Sequence, residues 1–125
     1  MAIAKQIPEL AGWLKRVVAA ETPGASVVAF NVGLFETENG FSGYLVGAER
    51  YDANDSDWAC DGAFTPSERY CTIPADDFDG WEGVHAAVVE TIRKFLSAAP
   101  GVTSFLAYAE VVTVGIDGGD LERVK

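Results

Sequence analysis

Residues from Asp57 onward follow part of the pattern of a calcium-binding loop. Counted from Asp57, the sequence has Asp61 at position five, Gly62 at position six and Glu68 at position twelve. Such a loop needs a glycine for its sharp turn and a bidentate glutamate at its end. Position three, however, is Ala59, a proline falls inside the loop, and the flanking sequence is typical of strands rather than helices. We keep Asp57, Asp61 and Glu68 as an alternative calcium site, but expect no metal or other cofactor and favour a hairpin with acidic outward positions.

His85 is the only histidine in the chain, so any nucleophile that needs an imidazole base must use it. It falls early in a predicted helix, beside the apolar stripe, and the spacing brings neither Cys60 nor Cys71 nor Ser104 within its reach. Glycine-rich phosphate loops and metalloprotease motifs are absent from the sequence. We therefore expect a histidine on a helix flank with a neighbouring carboxylate such as Glu82, and we assign no catalytic residue.

Glu110 stands in an apolar strand pattern, on the same predicted face as Leu106, Tyr108, Val112 and Val114. A carboxylate there lies either at the rim of the sheet or inside the protein, where it needs a partner. A buried carboxyl group can act as an acid or a base because burial raises its pKa. We favour an edge-facing or arginine-paired glutamate. The alternative is a cleft in which Glu110, His85 and one or more aspartates form a small-molecule or catalytic site.

The periodicity of the apolar residues predicts the elements that position these side chains. Steps of three and four residues indicate helices, and alternation, or a continuous apolar run, indicates strands. Asn39-Gly40 is typical of a two-residue turn between antiparallel strands, and a turn there would place Leu34 opposite Leu45. The sequence thus predicts a helix over about 4–20, strands over 26–36, 41–51, 58–64, 69–73 and 104–116, and a second helix over about 76–98.

Two further predictions concern the ends of these elements. Asp76, Asp77 and Asp79 are suited to the cap and first turn of the second helix. Cys60 and Cys71 would face each other across a short hairpin, and we expect them to be reduced because no export signal is evident.

Together these patterns predict one α+β domain over residues 1–125. Two helices pack on a mostly antiparallel sheet of about five strands, in the order α-β-β-β-β-α-β. Residues 117–125 are predicted to form a polar C-terminal tail. A chain of 125 residues is long enough for a single buried core.

The chain is strongly acidic, with nine Lys and Arg against nineteen Asp and Glu and a formal net charge of -10. Such a field repels phosphate backbones and anionic lipid headgroups, so we expect neither nucleic acid nor a membrane as a partner. No signal peptide is recognisable at the N-terminus, and two cysteines are too few for a disulfide framework. These observations favour a cytoplasmic protein.

Segment 51–82 holds nearly half of the carboxylates, with Arg69 as its only basic residue. Aromatic side chains lie between the acidic ones, and such rings anchor protein interfaces while charges accelerate encounter. This composition predicts a docking surface for a basic protein, although each ring could instead point into the core. The predicted contact residues are Asp52, Asp55, Asp57, Trp58, Asp61, Glu68, Asp76, Asp77, Asp79 and Trp81.

The whole-chain pattern resembles the small acidic immunity proteins of bacterial polymorphic-toxin systems. The resemblance rests on size, charge and two stretches, YDANDSDWACDGAFTPSERYC from Tyr51 and VTVGIDGGDLERV from Val112. Many of those proteins are α+β domains that neutralise a basic toxin by covering its active site. The resemblance therefore implies a non-enzymatic, bacterial binding protein and carries no catalytic motif.

Three hypotheses of function remain open from the sequence. The leading one is a protein-binding module that docks on a basic partner, such as a toxin domain, through segment 51–82. The second is a small-molecule binder or enzyme with a cleft, and the third is a homo-oligomeric structural protein with a self-complementary aromatic patch.

Overall fold

The computed structural model describes residues 7–38, 40–60, 62–74, 80–97, 105–106, 109–117, 119 and 121–125. This part of the chain contains two long helices and a mixed, mostly antiparallel sheet of six strands. The elements are α1 (Pro8–Ala20), β1 (Ala29–Thr37), β2 (Gly40–Ala48), a 3-10 helix (Ser56–Cys60), β3 (Gly62–Phe64), β4 (Tyr70–Pro74), α2 (Gly80–Leu96), β5 (Val111–Ile116) and β6 (Glu122–Arg123).

The strands lie in the order β3-β2-β1-β5-β6, and β4 pairs with the same edge of β2 as β3 does. β1 and β2 form an antiparallel hairpin, whereas β5 runs parallel to β1. The α+β class and the two helices are confirmed. The sheet has one strand more than predicted, because the segment predicted as a polar tail contributes β6, which pairs with β5.

The β1–β2 hairpin has a different register from the predicted one. Thr37 pairs with Gly40, and Leu34 lies opposite Gly43 rather than Leu45. The shift is two residues, which keeps every side chain on the same face, so the apolar pattern cannot distinguish the two registers. The observed register places Tyr44 opposite Gly33. A Cβ atom at that glycine would lie 2.0 Å from the Tyr44 ring, so the glycine makes room for the tyrosine.

Two predicted strands also differ in the structure. Trp58 lies in the 3-10 helix, and among the described residues of its predicted strand only 62–64 are extended. β3 and β4 pair with β2 instead of with each other. The apolar run from Ser104 becomes β5 only at Val111, and Phe105 and Leu106 are helical. Continuous apolar sequence is compatible with both states, because a buried helix turn and a buried strand are equally apolar.

The main core lies between the two helices and one face of the sheet. α1 begins at Pro8. Proline suits the first turn of a helix because the backbone N–H that it lacks would have no partner within the helix there. The buried side chains of α1 are Leu10, Trp13, Leu14 and Val17, and those of α2 include the predicted stripe Val84, Val88, Ile92 and Phe95. The helix caps predicted at Asp76, Asp77 and Asp79 lie outside the described residues.

A second, smaller core covers one end of the opposite sheet face. Alternation along β1 turns Ala29 away from the helices, while its neighbour Phe30 joins the main core. Ala29, Ala48, Val111 and Trp58 form this second cluster. In the described part of the chain, no helix is both long and apolar enough to cross a membrane.

Candidate functional site

Trp58, one of the predicted contact residues, lies in the second core. Its side chain is only 1% exposed and packs against Ala29 and Ala48, with the Tyr51 ring edge-on at 5.2 Å. The two alanines leave space on the sheet for an indole, and the 3-10 helix brings the ring down onto it. Trp58 therefore stabilises the fold in this structure and presents no surface to a partner.

The aspartates that precede Trp58 shape the loop and remain in contact with solvent. Asp52 is half-buried, and its Oδ1 accepts a hydrogen bond from the backbone N–H of Asn54 at 2.9 Å. Asp55 Oδ1 accepts one from the backbone N–H of Asp57 at 3.0 Å, and both of these aspartates are exposed. Each bond leaves carboxylate oxygens free for other contacts. The remaining predicted aspartates, Asp61, Asp76, Asp77 and Asp79, lie outside the described residues.

Glu68 is paired with Arg16 of α1. Arg16 donates from Nε to Oε1 at 3.1 Å and from Nη2 to Oε2 at 2.7 Å, so each carboxylate oxygen accepts one hydrogen bond. The hydrogen bonds from Arg16 lower the pKa of Glu68 and the same pair raises that of Arg16. The flanks are also a 3-10 helix and short strands, and the described residues contain no group of three potential ligands. Asp61 lies outside the described residues, so the structure does not describe the three predicted calcium ligands Asp57, Asp61 and Glu68 together.

An aromatic pocket that sequence reasoning missed lies beside β4, on the sheet face away from the helices. Tyr70 is 54% exposed and meets Phe35 edge-on, with ring centroids 5.7 Å apart. Tyr44 lies next to Phe35 and donates from its hydroxyl to Asp117. Arg69 sits 5.6 Å from the centre of the Tyr70 ring. These side chains line a pocket of about 310 Å³. The sequence does not predict this pocket, because Gly33 is seen to make room for the Tyr44 ring only when the register of β1 and β2 is known.

A second cleft, of about 390 Å³, lies between the start of α2 and the C-terminal strand. His85 is in it, as the hypothesis of a cleft required, but its carboxylate partner is Glu122 of β6, with Nε2 and Oε1 3.3 Å apart, and not Glu82. Trp81 stands edge-on to the imidazole at 6.3 Å and is 47% exposed. The cleft is lined by Trp81, Glu82, His85, Ile116, Gly119, Leu121 and Glu122.

The imidazole of His85 has one nitrogen without a hydrogen bond. Nδ1 is buried and finds no partner in the described structure. An ordinary catalytic histidine is oriented by a bond to one nitrogen while the other faces the substrate. In His85 the other nitrogen, Nε2, pairs with Glu122 and so links α2 to β6.

Glu110 does not share the cleft with His85. It is exposed just before β5, and its backbone N–H donates to the carbonyl of Val28 at 2.9 Å. The cleft lies at the other end of that strand, next to Ile116, roughly 20 Å away along an extended chain. Glu110 is therefore exposed and is not among the residues that line the cleft with His85.

The thiol of Cys71 is free and buried. Burial raises its pKa to about 11, so the thiolate needed for nucleophilic chemistry is scarce at neutral pH. Cys71 lies in β4, which does not pair with β3, so the predicted face-to-face arrangement with Cys60 across a hairpin does not occur.

Comparison of the chain with protein-family models, with curated proteins and with solved structures finds no match.

Proposed function

We propose that this chain is a cytoplasmic, non-enzymatic binding module that docks on a basic protein, such as a toxin domain, through segment 51–82. The observation that carries the proposal is the charge of that segment, in which nine carboxylates stand against the single cation Arg69. Long-range attraction of a basic partner follows directly from such a field.

The structure changes which residues of the segment are available for contact. Trp58 is buried in the second core, whereas Glu68 is exposed and forms the ion pair with Arg16. Asp55 and Asp57 remain exposed, as do the rings of Tyr70 and Trp81. Exposed aromatic rings contribute affinity at the centre of an interface. The surrounding carboxylates raise the rate of association with a basic partner and the selectivity for it.

The test begins with affinity capture from the native organism and continues with the purified partner. Asp55, Asp57 and Asp61 are changed to Asn together, and a control variant changes Glu9, Glu36 and Glu38 to Gln. Both variants raise the net charge by three, so a simple net-charge effect acts on both alike.

We expect the aspartate variant to lose association rate by about tenfold or more at low salt, and the control to lose much less. Surface plasmon resonance over a range of salt concentrations measures this. Equal binding by the wild type and the aspartate variant would remove the proposed docking surface.

A small-molecule site is the second candidate, and the aromatic pocket at Phe35, Tyr44 and Tyr70 favours it. Its volume of about 310 Å³ is at the lower end of those that hold small ligands. Ligands found by a thermal-shift screen should lose their stabilisation in Tyr70→Ala if they bind there. Unchanged stabilisation in that variant would place them elsewhere.

A further inference from the structure

The cleft between α2 and β6 has the chemistry of a cation site with an apolar floor. Ile116 and Leu121 are both half-buried and form apolar lining, while Trp81 presents an indole ring that is 47% exposed. Glu82 and Glu122 are the two acidic residues that line the cleft. A long side chain with a positive end could place its stem on the apolar lining and its charge between the carboxylates.

The charges around the cleft favour a cation over an anion. Neither lysine nor arginine is among the lining residues. Glu82 forms no ion pair with any described residue, and Glu122 is only loosely held, with Arg93 Nη2 at 3.5 Å and His85 Nε2 at 3.3 Å. The N-terminus of α2 carries a partial positive charge, but Glu82 lies in its first turn and offsets it.

The shape of the cleft favours a side chain over a bare ion. A metal ion needs several converging oxygen or nitrogen ligands, and no such group of three occurs in the described residues. The cleft instead has a volume of about 390 Å³ and an aromatic wall. Lysine and arginine bury their stems against apolar surface and bind the faces of tryptophan rings.

We infer that this cleft binds a lysine or arginine side chain of the basic partner. The inference rests on the proposed function, and it adds the anchor point: Trp81 and Glu82 hold the cation while the aspartates of segment 51–82 attract the protein as a whole. The docking surface would then extend from segment 51–82 onto β6, which supplies Glu122.

The first experiment needs no identified partner. The wild-type protein is titrated with N-acetyl-arginine amide, N-acetyl-lysine amide and the uncharged N-acetyl-norleucine amide. The readout is the NMR signal of the indole N–H of Trp81. Trp13 and Trp58 are almost fully buried and serve as internal references.

We expect the Trp81 signal to move with both cationic probes and not with norleucine amide. Glu82→Gln should weaken the binding of the cationic probes by about threefold. Trp81→Ala should weaken it by about tenfold, measured through the backbone signals of α2. Glu9→Gln, which removes an exposed carboxylate that does not line the cleft, is the matched control for Glu82→Gln and should leave binding unchanged. An unmoved Trp81 signal, or equal shifts with norleucine amide, would overturn the inference.

The second experiment separates this inference from the proposed function. Binding of the purified partner is compared among Trp81→Ala, Glu82→Gln and the triple aspartate variant, with unfolding curves to show that each is folded. If only the aspartate variant loses binding, the docking surface stands and the anchor cleft is wrong. If only Trp81→Ala and Glu82→Gln lose binding, the cleft stands and the aspartates have no role. If all three bind like the wild type, both proposals fail.

Discussion

Trp58 and Trp81 occur in the same acidic segment, each directly beside a carboxylate, yet the structure uses them in opposite ways. Asp57 precedes Trp58, which is 1% exposed, and Glu82 follows Trp81, which is 47% exposed. The local composition is nearly the same at the two sites. The charge beside an aromatic residue therefore does not determine whether its ring lies in the core or on the surface.

The surface opposite each ring explains the difference. Trp58 faces Ala29 and Ala48, whose small side chains leave a hollow on the sheet that an indole fills. Trp81 lies in the first turn of α2, against the edge of His85 and the open cleft. Trp58 is buried because small side chains from two strands lie opposite its ring, and those residues come from other parts of the sequence.

Truncation of the two tryptophans provides the strongest test of this comparison. Trp58→Ala should reduce the free energy of unfolding by about 3–5 kcal/mol, because it removes a fully buried ring and leaves a cavity. Trp81→Ala should change it by less than about 1 kcal/mol, since much of that ring is already in water. Urea denaturation followed by circular dichroism measures both. Similar losses in the two variants would contradict the different roles assigned to them.

Tyr44 gives an intermediate case on the same sheet face as Trp58. Its ring lies over Gly33, where an added Cβ atom would be 2.0 Å away. Gly33→Ala should push the ring aside and weaken its hydrogen bond to Asp117, which destabilises the fold by about 1–3 kcal/mol.

The matched control for this prediction is Gly12→Ala in α1. A Cβ atom there meets only the end of the Arg16 side chain at 3.6 Å. Alanine is the better helix former, so the control should stabilise the protein by up to about 1 kcal/mol. If Gly33→Ala were neutral, the space at Gly33 would not be what holds the Tyr44 ring in place.

The same comparison shows which parts of the fold can be predicted from sequence. Periodicity within one segment identified α1, α2 and the β1–β2 hairpin, because it depends only on neighbouring residues. It could not give the hairpin register, since a shift of two residues leaves each face unchanged. It also missed β6, whose two exposed residues have no apolar pattern and are extended because β5 offers an unpaired edge.

The candidate site was predictable only in its composition. The charge of segment 51–82 could be read directly, but whether a ring such as Trp58 is exposed depends on what lies opposite. The cleft joins Trp81 and His85 to Glu122, which is 37 residues beyond His85 in the chain. No local sequence pattern connects the two α2 residues with Glu122, because the pairing of β6 with β5 is what brings Glu122 to the cleft.

The smallest expected effect concerns Glu68. Like Trp58, this residue belongs to segment 51–82 and contributes to the stability of the fold. The hydrogen bonds from Arg16 lower the pKa of Glu68. At a pH just below the ordinary pKa of a glutamate, the folded state therefore binds fewer protons than the unfolded chain. The pair therefore stabilises the protein above the unfolded pKa of about 4.3, and the contribution is lost as the pH falls through the folded-state pKa.

A double-mutant cycle of Arg16→Gln and Glu68→Gln measures this coupling by urea denaturation. We expect a favourable coupling at neutral pH, smaller than the effect of Gly33→Ala because both side chains are well exposed, and further reduced by salt. The coupling should vanish in acid. A coupling that persists when Glu68 is protonated would show that packing, and not charge, joins this part of the acidic segment to α1.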